Sequence, residues 1–215
     1  MACIPRFSPA TPMPCVRLLV FVLLLFAGSA QARPGLTPTA TVKEAVGEVL
    51  NILKNEDFDR EQRWTAIGRV IDARFDFRSM SQSVLASNWQ SATVEEKRRF
   101  VEFFSQYLED TYRTKIESYT NQSMDYVDEQ IRNDRATVDT FIVTDSNRIP
   151  VTYRLKNNDG EWFAYDVIIE GVSLVNNYRN TFNAIIKAEG MDGLLLDLQG
   201  RISDYKEKHG GLPPE

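Results

Sequence analysis

The sequence predicts an α+β fold, a helical half packed on an antiparallel, strongly curved sheet. Two changes of hydrophobic period carry this expectation. Apolar residues recur at helical spacing over 41–120, switch to strand spacing over 124–172, and return to helical spacing over 174–206. No internal repeat or low-complexity linker divides the stretch 33–208, so a single domain is expected there.

The helical half reads element by element. Thr41 and Glu44 make a capping-box pattern, and Val42, Val46, Val49, Leu50 and Leu53 follow at helical spacing. A second helix is expected from about Asp59 to Arg74, with Trp64, Ile67, Val70 and Ile71 inward. A short third helix covers Phe77 to Ala86 and turns Met80, Val84 and Leu85 inward. Thr93 and Glu96 form a further capping box. It opens a long helix whose apolar stripe is Phe100, Phe103, Phe104, Tyr107, Leu108 and Thr111.

The strands come next. Residues 136–144 are rich in β-formers, and Val151 to Lys156 alternates strictly between apolar and polar. Asn157 to Gly160 is a turn cluster, so the chain on to Trp162 reads as a hairpin. Trp162 to Glu170 is apolar on both faces except for Asp166, which predicts a central strand. A helix is expected from Leu174 to Ala188, with Gly190 as its stop. Leu194, Leu195, Leu198, Ile202 and Tyr205 mark a last helix, and 209–215 read as a disordered polar tail.

Residues 1–32 read as a leader. Arg6 and Arg17 are its only charges, and Val16 to Ala27 form an apolar run too short to cross a bilayer comfortably. Ala30-Gln31-Ala32 fits a small-x-small cleavage site, so a signal peptide cleaved after Ala32 and a periplasmic location are expected. The alternative is an uncleaved anchor. Cys3 and Cys15 both precede the apolar run, which argues against a lipoprotein and leaves the mature chain without disulfides. Loss of Arg6 and Arg17 takes the formal net charge from -5 to -7. An acidic chain with scattered Lys and Arg argues against nucleic acid and against standing adsorption to an anionic membrane.

The chain offers little reactive chemistry. His209 is the only histidine, and it falls in the polar tail, where a solvated role is expected. No His, Cys and carboxylate set has metal-ligand spacing, and no phosphate-cradling or nucleophile-elbow motif occurs. No catalytic residue, metal or cofactor is therefore expected. Asp166 interrupts an apolar strand and has two readings: a general base in a curved-sheet pocket, or a structural partner of Arg154 or Arg179. Asp72 and Asp76, near Arg69, Arg74 and Arg78, read as a solvated charge network. Against this blank stands the stretch Phe75–Tyr112, with eight aromatic side chains and no His, Cys or Gly-rich turn. It is built to fill or to line a large apolar volume.

Two blocks of residues resemble a known family. The first is Phe75-Asp76-Phe77-x-x-Met80, then Val84-Leu85, Trp89, Ala92-Thr93-x-Glu95, Phe100-x-x-x-Phe104 and Thr111-Tyr112. The second is Asp166-Val167-x-Ile169-Glu170-Gly171-Val172-Ser173-Leu174, then Tyr178-Arg179-x-x-Phe182 and Gly193-Leu194-Leu195. In this order they resemble the periplasmic phospholipid-binding shuttles of the maintenance-of-lipid-asymmetry pathway, also described as toluene-tolerance or ABC-transporter auxiliary proteins. The resemblance spans nearly all of the chain after the leader. Ala86 stands where the family often has Gly, and Val94 where it often has Pro.

The resemblance implies a nuclear-transport-factor-like curved sheet packed with helices, with phospholipid acyl chains between them. It implies exchange with an inner-membrane ABC transporter that carries a ring-forming substrate-binding subunit, and with an outer-membrane lipoprotein–porin complex. A monomer is expected. Side chains expected to line the cavity, where helices face the sheet, are Phe77, Met80, Val84, Phe100, Phe104, Leu108, Val138, Val151, Tyr153, Phe163, Tyr165, Val167 and Tyr178. Rival readings are a carrier of another lipid such as a hopanoid, a cone-shaped isomerase or hydratase using Asp166, and a lipid-free adaptor of the transporter.

Overall fold

The computed structural model of the chain describes residues 35–119 and 122–209. The expected leader over 1–32 and residues 210–215 of the expected tail lie outside the described residues.

The first helix, α1 (Pro38–Leu53), begins earlier than the capping-box pattern predicts. Thr37 caps it by accepting the Ala40 N–H at 3.1 Å, and Pro38 fills the first helical position, where a missing N–H costs nothing. Thr41 instead donates its hydroxyl to the Thr37 carbonyl, and Glu44 reaches across to Arg74. The next helix, α2 (Arg60–Arg74), opens on a full capping box between Asp59 and Gln62 and buries Trp64, Ile67 and Val70.

The third helix, α3 (Phe77–Leu85), is capped by Asp76 and ends one residue short of the expected boundary. Ala86 takes φ 50 and ψ -118 there, which no helix continues, and a short α4 (Ser87–Ser91) follows. The predicted capping box of Thr93 and Glu96 opens α5 (Val94–Glu117). Its inner stripe is Phe100, Phe104 and Leu108, with Phe103 and Tyr107 half-buried. Thr111 is a correction, for it is exposed and its hydroxyl bonds back to the Tyr107 carbonyl.

Five strands follow as an antiparallel meander in sequence order: β1 (Ser123–Arg132), β2 (Arg135–Val143), β3 (Arg148–Asn158), β4 (Glu161–Ile169) and β5 (Val172–Ser173). The β3–β4 turn has Asp159 at φ 53 and Gly160 at φ 95, the paired positive values of a tight hairpin that matches strand twist. Register shifts at Tyr126/Asp128 in β1 and at Arg154/Leu155 opposite β4 insert bulges, which bend the sheet.

The expectation of a central β4 is corrected. On one side β4 pairs with β3, and on the other with only the two-residue β5. The rest of that edge is taken by the chain entering α3, where Phe75 bridges Ala164 and the Asp76 N–H donates to the Ala164 carbonyl at 2.8 Å. With both edges occupied, the strand carries the apolar signature of an interior strand.

The last helical segment, α6 (Leu174–His209), is broken at Gly190, whose φ of 74 and ψ of -174 leave the helical range. His209 is its last described residue, stacked on Tyr205 at 4.3 Å rather than free in a tail. Two cores result. The larger joins α3, α4, α5 and α6 around Phe100, Phe104, Tyr178 and Phe182, whose ring centroids lie 5.4 to 5.9 Å apart. The smaller sits between α1 and the sheet and comprises Val42, Ala136, Val138, Leu155 and Trp162.

An apolar cavity between helices and sheet

Between the two cores lies a cavity of about 500 Å³. Four helices, the first residue of α6 and the concave sheet wall it. The α1 face supplies Val42, Ala45, Val46, Val49, Leu50 and Leu53, and α2 supplies Val70 and Ile71. Phe77 and Met80 come from α3, and Leu108, Tyr112 and Ile116 from α5. From the sheet come Met124, Ile142, Ile149, Val151, Tyr153, Leu155, Ala164, Val167 and Ile169. A shallow depression beside the start of α2 is different in kind, lined by solvent-facing polar groups such as Glu61, Gln62 and Arg69.

The register explains which strand residues reach the cavity. Along β3 the odd positions Ile149, Val151, Tyr153 and Leu155 face it. Their β4 partners are Ile169 opposite Val151, Val167 opposite Tyr153, and Ala164 opposite Leu155. The facing position thus changes from odd to even across the bulge at Tyr165. Strict alternation carried back from Val167 predicts Tyr165 and Phe163 on the wall, and here the structure differs. Phe163 pairs beside Lys156 on the opposite face, and the Tyr165 ring lies under the Arg135 guanidinium at 4.8 Å.

Of the other expected lining residues, Phe77, Met80, Leu108, Val151, Tyr153 and Val167 border the cavity. Val84, Phe100, Phe104 and Tyr178 do not, because they close the helical core on itself. Val138 shares the concave face but lies under α1, sealed with Val42 and Trp162. The α1 wall was the residue set missed by sequence reasoning. Its signal was present in the helical spacing of Val46, Val49, Leu50 and Leu53, which stay half-buried because they face space rather than side chains.

The polar groups on the wall are few. Arg74 is held by Glu44 at 2.7 Å, and Lys115 lies over the Tyr112 ring at 5.7 Å. Burial, with Asp72 and Asp110 alongside, pushes the Glu109 carboxyl up to about 7. Burial also holds the Tyr153 phenol well above its ordinary value, with Tyr126 and Tyr119 adding to the effect. Among the described residues no cluster of His, Cys, Asp or Glu could hold a metal ion.

Asp166 takes no part in the cavity. It is 2% exposed, and its carboxylate accepts from the Ser173 hydroxyl, the Val175 N–H and Arg154. Arg179, the other expected partner, donates instead to the Ser83 carbonyl. Both carboxylate oxygens thus accept hydrogen bonds that tie β4 to β5 and to the start of α6. Asp76, read as part of a charge network, is the α3 cap, and Arg74 pairs with Glu44 rather than with Asp72.

A concave, mainly apolar cavity between helices and sheet has the form of a small-molecule binding site. The MlaC protein family model matches residues 43–200, and the chain belongs to that family. It is 28% identical to the toluene tolerance protein ttg2D of Pseudomonas putida over 208 residues, 92% of this chain and 93% of that protein. It is 21% identical to the intermembrane phospholipid transport system binding protein MlaC of Haemophilus influenzae over 196 residues, 86% of this chain and 92% of that one. Among solved structures, a phospholipid-binding protein from Ralstonia solanacearum, determined in complex with a phospholipid, superposes with a TM-score of 0.71 at 26% identity, covering 77% of this chain and 97% of that one. No helix among the described residues is long and apolar enough to cross a membrane.

Proposed function

We propose that this protein is a periplasmic phospholipid carrier that takes acyl chains into the cavity between α1, α2, α5 and the sheet. The observation that carries this reading is the cavity itself, which holds about 500 Å³ behind a nearly continuous hydrocarbon wall. Each methylene moved from lipid to water costs about 0.8 kcal/mol, so two chains of roughly thirty methylenes resist free diffusion by on the order of 20 kcal/mol. A carrier removes that barrier by offering apolar surface that travels with the chains. It needs no catalytic group, and none is assigned. The acidic exterior suits a carrier that must leave anionic membranes again.

In this reading the carrier exchanges lipid with an inner-membrane ABC transporter through its ring-forming substrate-binding subunit, and with an outer-membrane lipoprotein–porin complex. Family membership supports these partners, and the leader-like residues 1–32 support the compartment. Native mass spectrometry of protein purified without detergent, followed by lipid extraction, tests the ligand. Co-purified diacyl phospholipid is expected. Protein that is empty and takes no lipid from vesicles overturns the proposal, and an extracted hopanoid replaces the ligand class.

A further inference from the structure

Two polar side chains face the cavity with no hydrogen-bond partner among the described residues. Tyr153 stands at the middle of β3, opposite Val138 on β2 and Val167 on β4. It is half-buried, and its hydroxyl makes no hydrogen bond among the described residues. Glu109 sits on α5 beside Leu108, on the wall, and likewise makes neither a hydrogen bond nor an ion pair among the described residues. Gly68 of α2 faces it, and a methyl group placed on Gly68 would stand 3.9 Å from a Glu109 carboxyl oxygen. Two other polar groups on this wall have partners within the protein, Thr41 in the Thr37 carbonyl at 3.0 Å and Arg74 in Glu44.

Both side chains are half-buried, so water can serve them while the cavity is open, and binding sites use a few placed polar groups to orient a mainly apolar ligand. A ligand that displaces this water has to supply the partner, since a polar group covered without one is costly. Hydrocarbon offers none. We propose that the Tyr153 hydroxyl and the Glu109 carboxyl contact the acyl ester oxygens of the bound lipid, so that the cavity prefers ester-linked over ether-linked chains. The inference rests on the carrier reading above. The ester carbonyl is the acceptor nearest the chains and follows them inside while the charged headgroup stays outside. Tyr153 keeps its proton throughout the neutral range, because burial raises its phenol. Glu109, with Asp72 and Asp110 near it and Arg74 and Lys115 on the same wall, donates when protonated.

The test compares a diester phosphatidylcholine with its diether counterpart of equal chain length, each titrated into delipidated protein. The wild type is expected to favour the diester about tenfold, the worth of a charge-free hydrogen bond or two. Tyr153→Phe combined with Glu109→Leu brings the ratio close to one. If the double variant fails to fold, Tyr153→Phe alone should reduce the ratio. Glu109→Gln keeps a donor and keeps the preference. Equal binding of both lipids by the wild type overturns the proposal, as does an undiminished ratio in the double variant or, where that does not fold, in Tyr153→Phe. Uptake of neither lipid by the wild type rejects the carrier reading itself.

Discussion

Asp166 accepts the hydroxyl hydrogen of Ser173 at 2.7 Å, and this pair joins the sheet to the last helix. Ser173 Oγ in turn accepts the Asn176 N–H, and the second Asp166 oxygen accepts the Val175 N–H at 3.1 Å, so two donors of the first turn of α6 depend on one carboxylate. Asp166→Ala strands the Val175 N–H and the Ser173 hydroxyl, both on buried residues, and is expected to destabilise the fold by about 2–4 kcal/mol. The Arg154 contact adds little to this, since Arg154 is 40% exposed. Asp166→Asn restores part of the geometry and should cost less. Thermal unfolding measures both, and lipid loading of the folded fraction should not change. An unaltered melting temperature for Asp166→Ala would remove the structural role assigned here.

Ala86 is the residue at which the fold asks for glycine. Its φ of 50 and ψ of -118 lie where an L side chain is strained, and it is exposed, so no packing compensates. Ala86→Gly should stabilise the protein by about 1 kcal/mol, after allowing for the extra freedom of the unfolded chain. Val94 offers a second gain, as the first residue of α5 at 85% exposure, where proline is preorganised. Denaturant midpoints of the two variants check this, and a loss of stability in Ala86→Gly would contradict the strain.

The helical half was legible because its signals are local. The capping box at Thr93 and the Phe100–Phe104–Leu108 stripe each lie within one or two turns, whereas the equally local Thr41–Glu44 pattern is not the cap that α1 uses. The sheet was legible in order but not in facing. A bulge changes the inward phase by one residue, and nothing in the sequence around Tyr165 announces it, so Phe163 and Tyr165 fell on the wrong face. Wall and core were not separable in sequence either. Val84 and Val151 are both apolar and both buried, and only the spatial arrangement puts Val151 against open space and Val84 against other side chains.

Glu109 makes stability depend on pH in a stated direction. Its carboxyl rises from 4.5 to about 7 on folding, chiefly by burial, so the folded state holds the proton more tightly than the unfolded state. Stability is therefore full below the unfolded value and declines as pH rises toward the folded value. Glu109→Gln should be more stable than the wild type above about pH 7, with the gap closing toward acid. Asp110, also raised by burial, keeps a residual slope in the variant. An acyl chain laid over Glu109 desolvates it further, so lipid uptake should weaken on the alkaline side in the wild type and less so in Glu109→Gln. Urea unfolding at a series of pH values gives the first result, and a gap that is constant across pH would refute the assignment.

Wall and core respond in opposite ways to changes of volume, and that contrast tests where the ligand lies. Ala45 of α1 borders the cavity and is only half-buried, so Ala45→Trp places its ring in open volume instead of among packed atoms. Filling existing space avoids the strain of overpacking, so the fold should survive with a stability change within about 1 kcal/mol. The same ring occupies room that acyl chains need, and lipid per protein should fall sharply. Phe104→Ala is the converse. Phe104 is fully buried against Phe100, Tyr178 and Phe182, and its loss should cost about 3–5 kcal/mol. The molecules that remain folded should carry lipid as the wild type does. Native mass spectrometry and thermal unfolding on the two variants read occupancy and stability separately. Full occupancy in Ala45→Trp would place the chains somewhere other than this cavity.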